Sequence, residues 1–222
     1  MNRKFVFSVG EYYHVFTRGI DKCVVFGDTA DFERFQTLLY VANSEKSIHL
    51  STLPEDMDPY EMDRGETLTD IGCYAEMPNH PHLLLKEKKE NGISKFLGKL
   101  LTGYSMYFNT KNKRSGSLFV RPYKAEHANT DVYLKYLFAY ITLNPLSLKF
   151  PSWKENGLFD LEKARIFLQN YKYGSCPDLL GQTLKRSPFG NERSINSRSG
   201  FYIWHGRRQF SQCRDLKAES WR

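Results

Sequence analysis

The sequence predicts an α+β protein of the ferredoxin-like kind, an antiparallel sheet in βαββαβ order, and three observations carry that prediction. Runs rich in aromatic and β-branched residues at 12–17, 69–77, 82–86 and 118–126 read as strands. Two stretches between them, 28–43 and 92–108, place apolar residues at helical spacing. A third such stretch follows the last strand, so the order is a split βαβ arrangement with one helix added behind it.

The first strand, Tyr12-Tyr13-His14-Val15-Phe16-Thr17, ends at Arg18-Gly19. Asp28 to Asp31 offer N-caps for a helix carrying Phe32, Phe35, Leu38, Leu39 and Ala42 on one face and ending near Asn43. From 51 to 68 the composition turns acidic, with Glu55, Asp56, Asp58, Glu61, Asp63 and Glu66 opposed only by Arg64, and a solvated loop is expected there. The strands at 69–77 and 82–86 meet through Pro78-Asn79. Pro81 has no N–H for a ladder, which predicts a bulged or edge-like histidine strand.

Ile93, Phe96, Leu97, Leu100, Tyr104 and Phe108 trace the second helix, broken at 111–116. The third begins at Thr130-Asp131, buries Leu134, Leu137, Phe138 and Ile141, and is expected to stop near Asn144 because Pro145 disfavours helical geometry in the residue before it.

A chain of 222 residues, 41% hydrophobic, builds one good core. We expect one domain over 1–150 and a C-terminal extension over 151–222, basic from about 181. The formal charge of +7 favours a polyanionic partner, and residues 181–222 hold nine Lys/Arg against three acids. Arg207 and Arg208 in that tail, with Phe201, Tyr202, Trp204 and Phe210 beside them, suit phosphate contact and base stacking; packing of those aromatics on the main domain is the alternative. Cys23, Cys73, Cys176 and Cys213 show neither C-x-x-C spacing nor disulfide density, which argues against a zinc knuckle and for reduced thiols in a cytoplasmic protein. No apolar run is long enough to span a membrane.

Met77-Pro78-Asn79-His80-Pro81-His82 is the stretch that points to chemistry. Alternate residues of a strand share a face, so His80 and His82 project together and can hold one divalent ion, Mg²⁺ or Mn²⁺, if an oxygen ligand joins them. Asn144 offers that oxygen, and it lies four residues after Tyr140, on the same helical face. A phenol with pKa ~10 is a weak nucleophile when protonated, and a cation beside the phosphorus compensates by polarising the phosphoryl oxygen. Arg18, Lys86, Arg121 and Lys124 are candidates for phosphate contact, and Glu126 and His127 for orienting a ligand.

Four blocks together resemble the single-tyrosine HUH endonucleases, and within them the REP-associated tyrosine transposases. The blocks are Tyr13-His14-Val15 through Arg18-Gly19 with Phe26; Met77 through Leu84; Gly116-Ser117-Leu118-Phe119 with Arg121 and Tyr123; and Tyr140-Ile141-Thr142-Leu143-Asn144-Pro145. The resemblance covers about residues 12–150 and implies that Tyr140 is the nucleophile on a catalytic third helix and that His80, His82 and Asn144 bind the metal. It further implies attack on hairpin-bearing single-stranded DNA, a 5′-phosphotyrosine intermediate and strand rejoining, as in DNA transposition and recombination. Some relatives share active sites between two subunits, so a homodimer is compatible. The chain departs from the pattern at Pro81, in its acidic insertion and in its basic tail. Two rival readings stand beside this one: a non-catalytic regulator that binds hairpin DNA or RNA on the same fold, and a metallohydrolase in which water attacks.

Overall fold

The computed structural model describes residues 6–47, 50, 53, 54 and 56–179. Its elements run β1 (Tyr12–Phe16), α1 (Thr29–Val41), β2 (Thr69–Met77), β3 (His80–Glu87), α2 (Gly92–Lys111), β4 (Lys124–His127) and α3 (Asp131–Leu143). The sheet order is β2-β3-β1-β4 with every pair antiparallel. Each helical crossover, β1 to β2 and β3 to β4, steps over one strand, which is the ferredoxin-like topology the element order predicts.

Helices α1 and α2 cover one face of the sheet, where Phe35, Leu39, Leu85, Phe96, Leu100 and Tyr104 form the main core. Helix α3 covers the other, on Cys73, Ala75, Leu84, Leu137 and Ile141. A bulge in β2 sets this division. The register passes from Ile71↔Leu85 to Cys73↔Leu84, so Ile71 packs towards α1 and α2 while Cys73 and Ala75 face α3.

The bulge therefore lies in β2, not in the histidine strand. β3 is a central strand, paired with β2 through Glu76↔Pro81 and Met77↔His80. Its pairing with β1 ends at Phe16↔His82, so the missing N–H of Pro81 falls where that ladder has already stopped. Two other expectations change. The extended run at 118–126 contributes only a Gly19↔Phe119 bridge before β4 begins at Lys124. α3 stops at Leu143 with Asn144 as its C-cap, where the sequence places its end, but not for the expected reason: Asn144 keeps αR geometry, φ −54° and ψ −38°, and the chain goes on into a 3-10 turn at Asn144–Leu148 with Pro145 in its first turn. A proline early in a helical turn lacks only an N–H that would be unpaired anyway.

Local chemistry fixes the ends. Asp28 and Asp31 form a reciprocal capping box on α1, and Lys111 reaches both carboxylates at 2.7 and 2.6 Å. The buried Glu87 carboxylate accepts from Gly92 N and Ile93 N at 3.1 and 2.7 Å and caps α2. Asn43 takes the backbone N–H groups of Leu68 and Thr69, both at 3.0 Å, tying the end of α1 to the start of β2. The acidic segment is pinned beneath its charges: Tyr60 is buried against Tyr40, whose hydroxyl donates to Met62 O.

Past α3, short helices α4 (Trp153–Asn156), α5 (Leu161–Asn170) and α6 (Cys176–Leu179) follow. The stretch between α5 and α6 lies along the outer edge of β2, where Glu76 N donates to Tyr173 O and Ser175 N to Tyr74 O. Tyr173 stacks on Phe32 with ring centroids 3.9 Å apart. Cys23, Cys73 and Cys176 are free thiols. Cys213, Arg207, Arg208 and the aromatic tail lie outside the described residues.

Candidate active site

Strand parity places His14 and Phe16 of β1 and His80 and His82 of β3 on the face that α3 covers. The two β3 rings lie edge to face with centroids 4.7 Å apart. Tyr140, on α3, presents its ring 5.8 Å from His82 and 5.9 Å from His14. Asn144, buried at the end of that helix, holds its side chain within reach of the Tyr140 hydroxyl. The four residues selected from the sequence thus gather on one side of the sheet.

The turn that presents His80 is fixed from outside. Pro78 O accepts from Val25 N and Phe26 N at 2.8 and 3.0 Å, and Asn79 O accepts from Gly19 N at 2.9 Å. A Cβ at Gly19 would sit 2.5 Å from Cys23 O, so this close approach requires glycine.

Behind the histidines lies a polar cluster in which Glu126 was selected from the sequence while His14 and Tyr133 were not. His14 Nε2 and His82 Nδ1 are 2.9 Å apart, and His14 Nδ1 lies 3.6 Å from Glu126 Oε2, which also accepts from the Tyr133 hydroxyl at 3.1 Å. His14 and His82 are 1% and 4% exposed, so their tautomers are set by each other rather than by water. At 3.6 Å the approach of His14 Nδ1 to Glu126 is an ion-pair and not a hydrogen-bond distance, and His14 Nδ1 is buried without a hydrogen-bond partner; with a proton placed on it, His14 Nε2 accepts and His82 Nδ1 donates. His82 Nε2 is then a bare lone pair, and it is buried without a hydrogen-bond partner. His80 bonds Asn79 Oδ1 through Nδ1, which frees its own Nε2 in the same way.

The titration behaviour agrees with ligation. Burial, with Arg18 and Lys154 nearby, pulls His80 down to about 4, and burial with His14 and His80 holds His82 well below the usual imidazole range. Both rings are neutral at neutral pH, as metal binding requires. Two imidazole nitrogens and an amide oxygen suit a divalent cation that completes its shell with water or phosphate oxygens. Among the described residues no group of three or more His, Cys, Asp and Glu comes together that could hold a metal ion. Burial, with Tyr136 and Glu126, raises the Tyr140 phenol, while Asn144 offsets part of that rise.

The other selected residues divide. Arg18 is exposed and acts on His80; Lys124 stands over the Phe16 ring at 5.8 Å; Lys86 lies further along β3, 5.5 Å from the Tyr12 ring. Arg121 is exposed and follows Val120, whose N–H bonds Arg18 O. Glu126 belongs to the polar chain, whereas His127 turns to the opposite face, stacks on Tyr13 and bonds Glu11 at 3.0 Å. Lys154, on α4, was not selected, yet its ammonium lies 4.5 Å from the Tyr140 ring centroid.

No family model matches the chain, and no curated protein matches it. Among solved structures, the chain is similar to a REP-associated tyrosine transposase bound to a REP hairpin, at 8% identity, covering 82% of this chain and 86% of that one with a TM-score of 0.49.

Proposed function

We propose that this protein is a metal-dependent endonuclease and strand transferase that cuts hairpin-bearing single-stranded DNA with Tyr140 and rejoins it. The observation that carries the reading is the meeting of two neutral imidazoles, one with a buried unpartnered Nε2, with a tyrosine and an asparagine across the sheet face. His80, His82 and Asn144 hold Mg²⁺ or Mn²⁺, which when bound polarises the scissile phosphate. Glu126 and His14 keep His82 in the ligating tautomer. Tyr140 supplies the attacking oxygen, and Asn144 orients its hydroxyl. The new bond joins the phenolic oxygen to phosphorus as the bond to the upstream 3′ oxygen breaks. The phenolic proton passes to solvent, the 3′ oxygen leaves as a hydroxyl, and attack by that hydroxyl reverses the step. Arg18, Lys86, Arg121, Lys124, Arg207 and Arg208 bind backbone phosphates, and residues 151–222 extend the DNA surface. A homodimer and a cytoplasmic location complete the proposal.

The test is a panel of single-stranded hairpin oligonucleotides with Mn²⁺ or Mg²⁺, resolved under denaturing conditions. A covalent protein–DNA adduct is expected, lost on Tyr140→Phe and on His82→Ala. Binding without any adduct points to the non-catalytic regulator. Cleavage that survives Tyr140→Phe points to attack by water.

A further inference from the structure

We propose that Lys154 grips a non-bridging oxygen of the phosphate that Tyr140 attacks, and so belongs to the DNA-cleaving site; this rests on the function proposed above. Nothing in its sequence neighbourhood marks Lys154, which follows Trp153 in the four-residue helix α4. The fold returns it to the site because the 3-10 turn after α3 folds the chain back past Tyr140. Its ammonium stands over the face of that ring and close enough to His80 and His82 to disfavour a proton on either. Arg18 acts on His80 as well, so two exposed cations border the imidazoles.

The company Lys154 keeps separates it from other lysines. Lys46, Lys89 and Lys111 each meet a carboxylate within 3.0 Å, and their charge is spent on the fold. Among the described residues no carboxylate lies within ion-pair distance of Lys154, which meets the Tyr140 and Trp153 rings and feels the adjacent Glu155 only at longer range. An ammonium against an aromatic face at an exposed site gains only about 0.5–1 kcal/mol, a weak hold readily exchanged for an anion. The flexible four-carbon stem lets it follow a phosphate. Attack by the phenol spreads negative charge over the equatorial phosphate oxygens, and a fixed cation there stabilises that charge. Lys154 neither gives nor takes a proton in this role, so the balance of the transfer step is unchanged.

Two measurements on the full chain test the assignment. In a Tyr140→Phe background, affinity for a fluorescent oligothymidylate is followed across a salt series. Lys154→Met should lower the slope of log K against log[salt] by roughly 0.7, the loss of one single-strand phosphate contact, while Lys154→Arg keeps it and Lys135→Met, on the exposed side of α3, leaves it unchanged. With Tyr140 intact, adduct formation at saturating hairpin DNA should slow by on the order of 10²–10³ in Lys154→Met, with partial recovery in Lys154→Arg. If the native protein forms adduct and Lys154→Met matches it in slope and rate, Lys154 has no such role and the proposed function stands. A lower slope with an unchanged rate also overturns the proposal, because the contact is then to a flanking phosphate. If the native protein forms no adduct with any hairpin, the proposed function fails and Lys154 fails with it.

Discussion

The two faces of the sheet are built from the same four strands and are packed to different ends. On the α1/α2 face the side chains are large and apolar, and a polar atom such as the Tyr104 hydroxyl meets a backbone carbonyl, that of Val25. Glu76 is the exception there: it is fully buried, neither of its oxygens is hydrogen-bonded, and burial pushes its carboxyl well above the usual range, so it is held neutral. On the α3 face the apolar cluster is smaller, and a histidine pair, a carboxylate and a tyrosine run through it, with His14 Nδ1 and His82 Nε2 both lacking a hydrogen-bond partner. A buried polar atom left unpaired costs roughly 1–3 kcal/mol, so both faces carry such a cost, and only on the second do the unpaired atoms lie beside Tyr140.

That contrast can be broken from either side. The largest effect belongs to the first face, where Phe96→Ala should cost about 3–5 kcal/mol in urea unfolding through the cavity it leaves, while divalent-cation affinity per folded molecule stays as it was. His14→Phe should do the reverse, weakening Mn²⁺ binding by about 10–100-fold in calorimetry, because His82 loses the partner that fixes its tautomer. Equal losses of stability in both variants would erase the distinction between the faces.

Acid should select the second face. The folded protein keeps His80 neutral down to about 4, whereas an unfolded imidazole takes its proton near 6.5. Between those values the unfolded chain binds more protons, so stability without metal should fall as pH drops through that window. His80→Gln should flatten the decline, measured as Tm against pH in chelator. The smallest effect is expected outside both faces: Asp28→Ala removes the α1 capping box and should cost about 1 kcal/mol with no change in cation binding.

The fold was legible because each strand and helix declared its own period, and the element order left one sheet topology. The His80/His82 pair and the Tyr140/Asn144 pair were legible for the same reason, since each lies within one element and its spacing alone sets a shared face. His14 and Glu126 were harder. Their partners are 68 and 112 residues away in sequence, so no local spacing joins them, and only the β1 register, Phe16↔His82 and His14↔Glu126, brings them together. Glu126 and His127 looked equivalent until parity separated them. Lys154 carries no periodic signal, because its position depends on how the turn at Asn144–Leu148 redirects the chain. Pro81 misled because a proline reports only its missing donor, not whether the neighbouring strand extends far enough to require one.

The stretch between α5 and α6 that lies along β2 has a consequence for how the molecule behaves in solution. Its hydrogen bonds occupy backbone groups on the outer side of that strand, which would otherwise offer a template to a second molecule. Chains shortened to end at Asn170 would leave those groups open, and they should self-associate with rising concentration where longer ones do not.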